Sequence, residues 1–291
     1  MTGPKRKAVA EDAECEVIDM DIDMIEMTEK KAKFILRDSS PAMANALRRT
    51  LLSDIPKMAI DRVEFHLGPI MVDGKEYESI TPLFDEIIAH RLGMIPIPTD
   101  TELFTTSEKC SCGGEGCPSC TIMYSLNKIG PCTVLSGDLL PLGDAKLKVK
   151  DEAIPVVDLA EGQAVLIYAI AKMGTAKQHV KWQVAVGVGY KYLPIVTLKV
   201  DSGEDVLKLE QICPKKVFAV DKKKLKVRDA KDCSLCMSCV EYAGKDVVQV
   251  EADNKNFLFK FETDGSLSAE KTLNTAVSIM AEEANSFAKM L

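Results

Sequence analysis

The stretch 40–56, Ser40-Pro41-Ala42-Met43-Ala44-Asn45-Ala46-Leu47-Arg48-Arg49-Thr50-Leu51-Leu52-Ser53-Asp54-Ile55-Pro56, reads as one amphipathic helix with both ends marked. Ser40 can cap it, and Pro41 takes the first helical position, where a missing N–H costs nothing. Met43, Leu47, Leu51 and Ile55 recur every fourth residue with Ala44 and Leu52 beside them, drawing one apolar stripe. Arg48 and Arg49 flank the stripe, and Pro56 stops the helix. On periodicity alone this is a core helix with two solvated arginines.

Upstream, residues 19–27 alternate acidic and apolar and 32–36 follow as Ala-Lys-Phe-Ile-Leu, which predicts two strands turning near Thr28-Glu29-Lys30. Residues 1–16 are polar and charged, and are expected to form a disordered tail. Downstream come a strand over 59–67 and an irregular hairpin over 68–79 around Asp73-Gly74. Thr81-Pro82 opens a second helix, with Asp85 and Glu86 in its first turn, a stripe of Phe84, Ile87, Ile88, Arg91 and Leu92, and an end at Gly93. His90 on that helix is expected to pack or hydrogen-bond, since no nucleophile pattern accompanies it. Further strands are predicted at 164–173, 184–188, 195–200 and 257–262, and Trp182, the single tryptophan, as a half-buried anchor. After a turn at Thr263-Asp264-Gly265, a terminal helix starts near Ser268 with Glu270 in its first turn. Its Leu273, Val277, Met280, Ala284, Phe287 and Leu291 step by 4, 3, 4, 3, 4, an a/d seam that can dock on its own domain or pair with another helix.

The ten cysteines are spaced as metal ligands rather than as a disulfide framework, which fits a reducing cytoplasm. Cys110, Cys112, Cys117 and Cys120 place four thiolates within eleven residues, and glycines at 113, 114 and 116 free the backbone to bring the pairs together. An all-sulfur closed site suits one structural Zn2+; the plain alternative is a flexible loop with unused thiols. Cys233-Ser234-Leu235-Cys236-Met237-Ser238-Cys239 is Cys-x2-Cys-x2-Cys, the loop that wraps a cubane iron–sulfur cluster. The fourth ligand is missing downstream, where Ala243-Gly244 stands, but Cys213-Pro214 lies upstream. In two-cluster ferredoxins the Cys-Pro cysteine of one repeat ligates the cluster of the other. Counting back from Cys213 with that spacing puts a lost triplet at Gly203, Val206 and Leu209. One cluster has thus lost all four ligands (Gly203, Val206, Leu209, Ala243), while Cys213, Cys233, Cys236 and Cys239 keep the other. The expectation is one 4Fe-4S cluster, with loss of one iron in air to a 3Fe-4S form compatible with it. A helix from Pro214, a turn over 221–224 and a strand over 225–227 would complete a ferredoxin-like 4Fe-4S domain. Cys15 and Cys132 have no partner pattern.

At 291 residues the chain can hold two or three domains, and its 46% hydrophobic and 28% charged residues are ordinary for a soluble protein. A formal charge of -7 argues against a nucleic-acid clamp acting alone, because phosphate binding needs concentrated Lys and Arg. The N-terminus has no apolar run behind Lys5-Arg6-Lys7 and is not expected to be a secretory signal; no stretch reaches the roughly 18 apolar residues of a membrane span. No phosphate loop, metal-spaced carboxylate cluster or nucleophile pairing is present, so no catalytic residue is assigned.

The wording of 44–65, ANALRRTLLSDIPKMAIDRVEF, resembles the signature helix and following strand of the assembly subunits of cellular RNA polymerases, which comprise the bacterial alpha subunit, the archaeal D-type subunit and the third-largest subunit of eukaryotic polymerase II. The block 83–96, LFDEIIAHRLGMIP, is similar to the archaeal and eukaryotic members, the archaeal D-type above all, and 174–183 resembles the family's turn before its next strand. The resemblance runs in separated blocks from about residue 17 to the C-terminus. It implies an α+β fold with a discontinuous alpha-subunit-type dimerisation domain at 17–60 and 246–291. An inserted β-rich domain at 61–200 would carry the zinc loop 110–120, and a ferredoxin-like domain would occupy 201–245. A zinc loop at the matching place is a feature of the eukaryotic relatives; ferredoxin-like insertions occur in many archaeal ones, with two clusters in some and none in others. The implied role is a non-catalytic assembly platform of DNA-directed RNA polymerase, a nucleotidyltransferase only as a whole. The implied partners are the small L subunit as heterodimer, the N and P subunits, and the second-largest catalytic subunit, with DNA met only inside the whole enzyme, no membrane, and a cytoplasmic location. The rival reading is a ferredoxin-type electron carrier or redox-responsive iron–sulfur protein, although cluster-binding sequence fills under a fifth of the chain. A zinc-dependent nucleic-acid binder is disfavoured by the acidic balance.

Overall fold

The computed structural model describes residues 20–72 and 74–290. The expectations for 1–16, Cys15, Asp19, Asp73 and Leu291 fall outside the described residues. β1 (Asp21–Met27) and β2 (Lys31–Arg37) form the first hairpin, closed by the Thr28 N–H on the Lys31 carbonyl at 2.9 Å. The helix α1 (Pro41–Ser53) follows, with the Ser40 hydroxyl accepting from the Met43 N–H at 3.2 Å. Its buried face is Ala44, Leu47, Thr50 and Leu51, continued by Ile55, whereas Met43 is 39% exposed. The apolar stripe is therefore rotated about one residue from the four-step reading, because position 43 sits to one side of the line through 44, 47 and 51.

β3 (Lys57–Phe65) comes next, then the short hairpin β4 (Ile70–Val72) and β5 (Lys75–Tyr77). α2 (Asp85–Met94) starts three residues beyond Pro82, since the Thr81 hydroxyl bonds the Leu83 carbonyl at 2.7 Å and holds that segment in a turn. Only Ile88, Leu92 and Gly93 of α2 are buried, and Phe84 and Ile87 face out. His90 is exposed too, beside Asp61, His179 and Lys181, and its side chain makes no hydrogen bond among the described residues, contrary to the packing role expected of it.

The middle of the chain is strand-rich: β6 (Thr121–Ile129), β7 (Cys132–Leu135), β8 (Leu140–Pro141), β9 (Pro155–Leu159) and β10 (Ala164–Gly174). Trp182 is more deeply buried than an anchor at half depth; its indole N–H donates to the Lys172 carbonyl at 3.1 Å. Gly174 lies against its ring, where any Cβ would fall 2.5 Å from the indole, so this strand end requires glycine.

The two strands expected at 184–188 and 195–200 are one, β11 (Ala185–Leu198), carried across by two bulges. After it come α3 (Glu204–Leu207), α4 (Leu209–Ile212), the hairpin β12 (Phe218–Asp221) and β13 (Lys224–Val227), α5 (Ser238–Ala243), β14 (Val248–Thr263) and α6 (Ala269–Ala288). The helix predicted from Pro214 does not form. Lys216 takes a left-handed φ of 51° and its N–H closes a turn on the Cys213 carbonyl at 3.0 Å.

Two antiparallel four-stranded sheets organise these elements, in the orders β1-β2-β14-β11 and β3-β10-β6-β8. α1 and α6 pack on one face of the first, burying Phe34, Leu36, Leu47, Leu51, Phe257, Phe259, Phe261 and Leu273. α2 covers the second, over Met58, Ile60, Tyr124, Leu126, Val165 and Ile167. A third core of Val206, Leu209, Val217, Phe218, Leu225, Val248 and Val250 includes Cys233 and Cys239. β14, at 16 residues, spans roughly 50 Å at about 3.3 Å per residue. It is long enough to feed the first core with its aromatic end and the third with its valine end. The register between β11 and β14 jumps from Tyr192/Phe257 to Leu193/Asp253, so the ribbon bends between the two cores. β11, which the sequence grouped with 61–200, pairs along its length with β14 in the first sheet.

One ion pair joins the start of β3 to the turn before α6. The Lys57 ammonium bonds the Asp264 carboxylate and the Gln183 carbonyl, with Lys57 only 3% exposed. Removing one member leaves the other buried and unpaired, so Asp264→Asn should cost about 3–5 kcal/mol in chemical denaturation. Removing the cation as well while keeping an acceptor for the Ser266 N–H and hydroxyl, Lys57→Met with Asp264→Asn, should recover most of that loss.

Candidate metal centres

The loop 110–120 is shaped by its glycines. Gly113, Gly114 and Gly116 have φ of 65°, 93° and 92°, a left-handed region where side chains are strained. Cys110 follows a short 3-10 turn, Ser107–Lys109, and buried Cys120 immediately precedes β6. The Cys120 and Thr121 N–H groups both bond the Cys117 carbonyl at 3.0 Å, which folds the second pair back onto the first. The sulfurs of Cys110 and Cys117 are 3.5 Å apart, those of Cys112 and Cys120 3.6 Å, and those of Cys117 and Cys120 3.9 Å. All four lie within 4.8 Å of one another. Four thiolates 2.3 Å from one tetrahedral ion would be about 3.8 Å apart, so the donor set fits a single soft cation. Backbone N–H groups of Cys117 and Gly116 and the Cys110 thiol hold the Cys112 thiol down to about 5, whereas burial pushes Cys120 up to about 12. A thiolate standing ready at Cys112 is what a metal ligand requires.

The second set is arranged differently. Cys213, Cys233, Cys236 and Cys239 line one hollow together with Val196, Val217, Phe218, Met237 and Val250. Among the described residues the 110–120 set is the one whose sulfurs crowd to single-ion spacing. Leu235 and Met237 have left-handed φ of 56° and 64°, an uncommon state for such side chains, which curls the loop around the hollow. The Leu235 N–H points at the Cys233 sulfur at 3.4 Å and the Val217 N–H at the Cys213 sulfur at 3.5 Å. Cys236 is the exposed member, and the Ser238 hydroxyl and N–H lower its thiol below the ordinary value.

The four positions read as lost ligands now serve packing. Val206 and Leu209 are buried in the third core, Ala243 packs against it, and Gly203 precedes α3 with φ of 121°. Lys191, which no sequence pattern singled out, ties β11 to this region: its ammonium donates to the Lys231 and Cys233 carbonyls at 2.5 and 2.7 Å. Its outward position on a strand was readable from alternation, but its target lies 40 residues away. Cys132 stands apart from both sets, its thiol on the Ile129 carbonyl.

A family model described as the RNA polymerase Rpb3/Rpb11 dimerisation domain matches residues 33–284. The chain is 45% identical over 259 residues to a protein of Thermoplasma volcanium named DNA-directed RNA polymerase subunit Rpo3, covering 89% of this chain and 94% of that one. It is 41% identical over 271 residues to a protein of that name from Picrophilus torridus (93% and 99% covered). With the one from Pyrococcus furiosus the identity is 34% over 270 residues (92% and 95%). The matched span begins in β2 and ends within α6, the two segments that one sheet and its helices bring together, so the chain belongs to the family of the RNA polymerase Rpb3/Rpb11 dimerisation domain.

Proposed function

We propose that the chain is a non-catalytic assembly subunit of DNA-directed RNA polymerase that works as a heterodimer with a small alpha-like subunit. The observation that carries this reading is α6. Its start packs Leu273 and Ala276 into the chain's own core, and from there on it presents Val277, Ala284 and Phe287 outward with nothing over them among the described residues. A family built around dimerisation supplies the occupant. The small partner is the L subunit; the N and P subunits and the second-largest catalytic subunit then join. The dimerisation unit comprises 17–60 and 246–291 with β11 added, since β11 shares their sheet. The inserted unit carries the 110–120 loop, and the cysteine-rich unit lies at 201–245. Affinity purification of the tagged chain from native extract tests this. Recovery of L, N, P and the catalytic subunit supports it, and recovery of the chain alone refutes it. A dedicated electron carrier is the weaker reading, because the cysteine-rich unit hangs on the end of a ribbon whose other end builds the dimerisation sheet.

The 110–120 loop is assigned a structural zinc. Bound there, zinc would cross-link a segment that has little apolar core of its own. Replacing Cys117 and Cys120 with serine should make 106–120 the first site of protease cleavage while heterodimer formation persists. Zinc-free protein after purification without chelator would refute the assignment. Cys213, Cys233, Cys236 and Cys239 are assigned one 4Fe-4S cluster, the body that four widely set thiolates and sulfur-directed N–H groups suit. The cluster would supply the cross-link between the Cys213 turn and the 233–239 loop.

A further inference from the structure

Between the outer face of the first sheet and the cysteine-rich unit runs a cleft of about 630 Å³, within the size range of ligand sites. Its walls carry six lysines: Lys33, Lys191 and Lys260 from the sheet, and Lys215, Lys216 and Lys231 from the two cysteine loops. Among the described residues none of the six has a carboxylate within ion-pair distance, although twelve lysines elsewhere do. Asp232 is the one acid in the lining. In a chain with 44 acidic and 37 basic residues, six lysines facing one acid make a local excess of positive charge, which the anionic cluster assigned to the neighbouring cysteines offsets only in part. Six like charges in one cleft repel, and a negatively charged occupant would relieve that repulsion.

We propose that this cleft docks a short acidic segment of a partner protein. Two features favour a peptide over a nucleic acid. The aromatic ring in the lining, Tyr190, is taken up by stacking on Phe259 at 5.1 Å and meeting Phe257 edge-on at 5.7 Å, so it offers no platform for bases. The lining also offers Pro214 and Leu258, apolar contacts that a peptide with interspersed side chains can use. The inference rests on the cleft and its charges and goes beyond the assembly reading.

The test is fluorescence anisotropy of a labelled hexaglutamate peptide with the full chain purified with its partner, at about 50 mM salt, where screening is weak. Saturable binding is expected. It should weaken at least about tenfold in Lys215→Glu with Lys231→Glu, and also in Lys33→Gln with Lys260→Gln on the opposite wall, which lies away from the cysteines. The matched change Lys199→Glu with Lys245→Glu, outside the cleft, should leave it unaltered. Absence of saturable binding, equal weakening by the outside pair, or tighter binding of an oligothymidylate of equal charge would each overturn the proposal.

Discussion

Cys213→Ser should strip iron from the protein and unfold the cysteine-rich unit while leaving the two sheets in place. The third core is small, and two of its buried members, Cys233 and Cys239, are themselves assigned ligands. Units of about 40–70 residues seldom hold together on apolar burial alone, and a metal centre commonly makes up the deficit. Because ligation and folding are then one event, the coupling free energy is large, on the order of 10 kcal/mol by analogy with structural metal sites. Protein prepared without air should contain four irons and four sulfides per chain, and the serine variant close to none. Limited proteolysis should then cut within 201–245 and spare β2 and α1. Eight irons, or unchanged iron in the variant, would sink the assignment. Exposed Cys236 marks the corner from which one iron should leave first in air, giving a 3Fe-4S form that still depends on Cys213, Cys233 and Cys239.

Val277→Asp with Phe287→Asp should abolish co-purification with the small subunit and leave the chain's own fold intact. Val277 is 45% exposed and Phe287 63%, so neither holds the monomer together. Obligate interfaces resemble a core cut in half, and a charge in such a seam costs roughly 2–5 kcal/mol. Two of them correspond to a thousandfold or greater loss of affinity. Leu273→Asp is the contrasting variant. Leu273 is 5% exposed in the first core, so its replacement should lower the melting temperature of the chain itself. Leu47 and Leu51 are likewise consumed by that core and are not available to a partner. Uncovered, the outer half of α6 makes the wild-type chain prone to self-association. If wild-type chain were monomeric at micromolar concentration and the double variant still recovered the small subunit, the assembly reading would be wrong.

The sequence by itself determined whatever depends on neighbours along the chain. Caps, prolines and apolar periods located α1, α2 and α6 to within a few residues, because a helix end satisfies its orphan groups locally. Cysteine spacing likewise grouped Cys110, Cys112, Cys117 and Cys120, whose sulfurs lie within 4.8 Å of one another, since a short loop can fold back on itself; Cys213 reaches the hollow lined by Cys233, Cys236 and Cys239 from 20 residues away, through the packing of the third core. Only the tertiary structure decided which faces are spent. The a/d seam of α6 is one pattern in the sequence, yet Leu273 serves the chain's own sheet and Phe287 faces out, because the sheet ends where the helix continues. It also decided that β11 joins β14, that Met43 stands outside the core, and that Lys57 meets Asp264 and Lys191 meets the Cys233 carbonyl. Those contacts link residues 42 to 207 positions apart, and no local preference encodes a lysine's distant partner. The lysine-lined cleft belongs to the same class: its six charges come from three strands and two loops, and only folding sums them into one field.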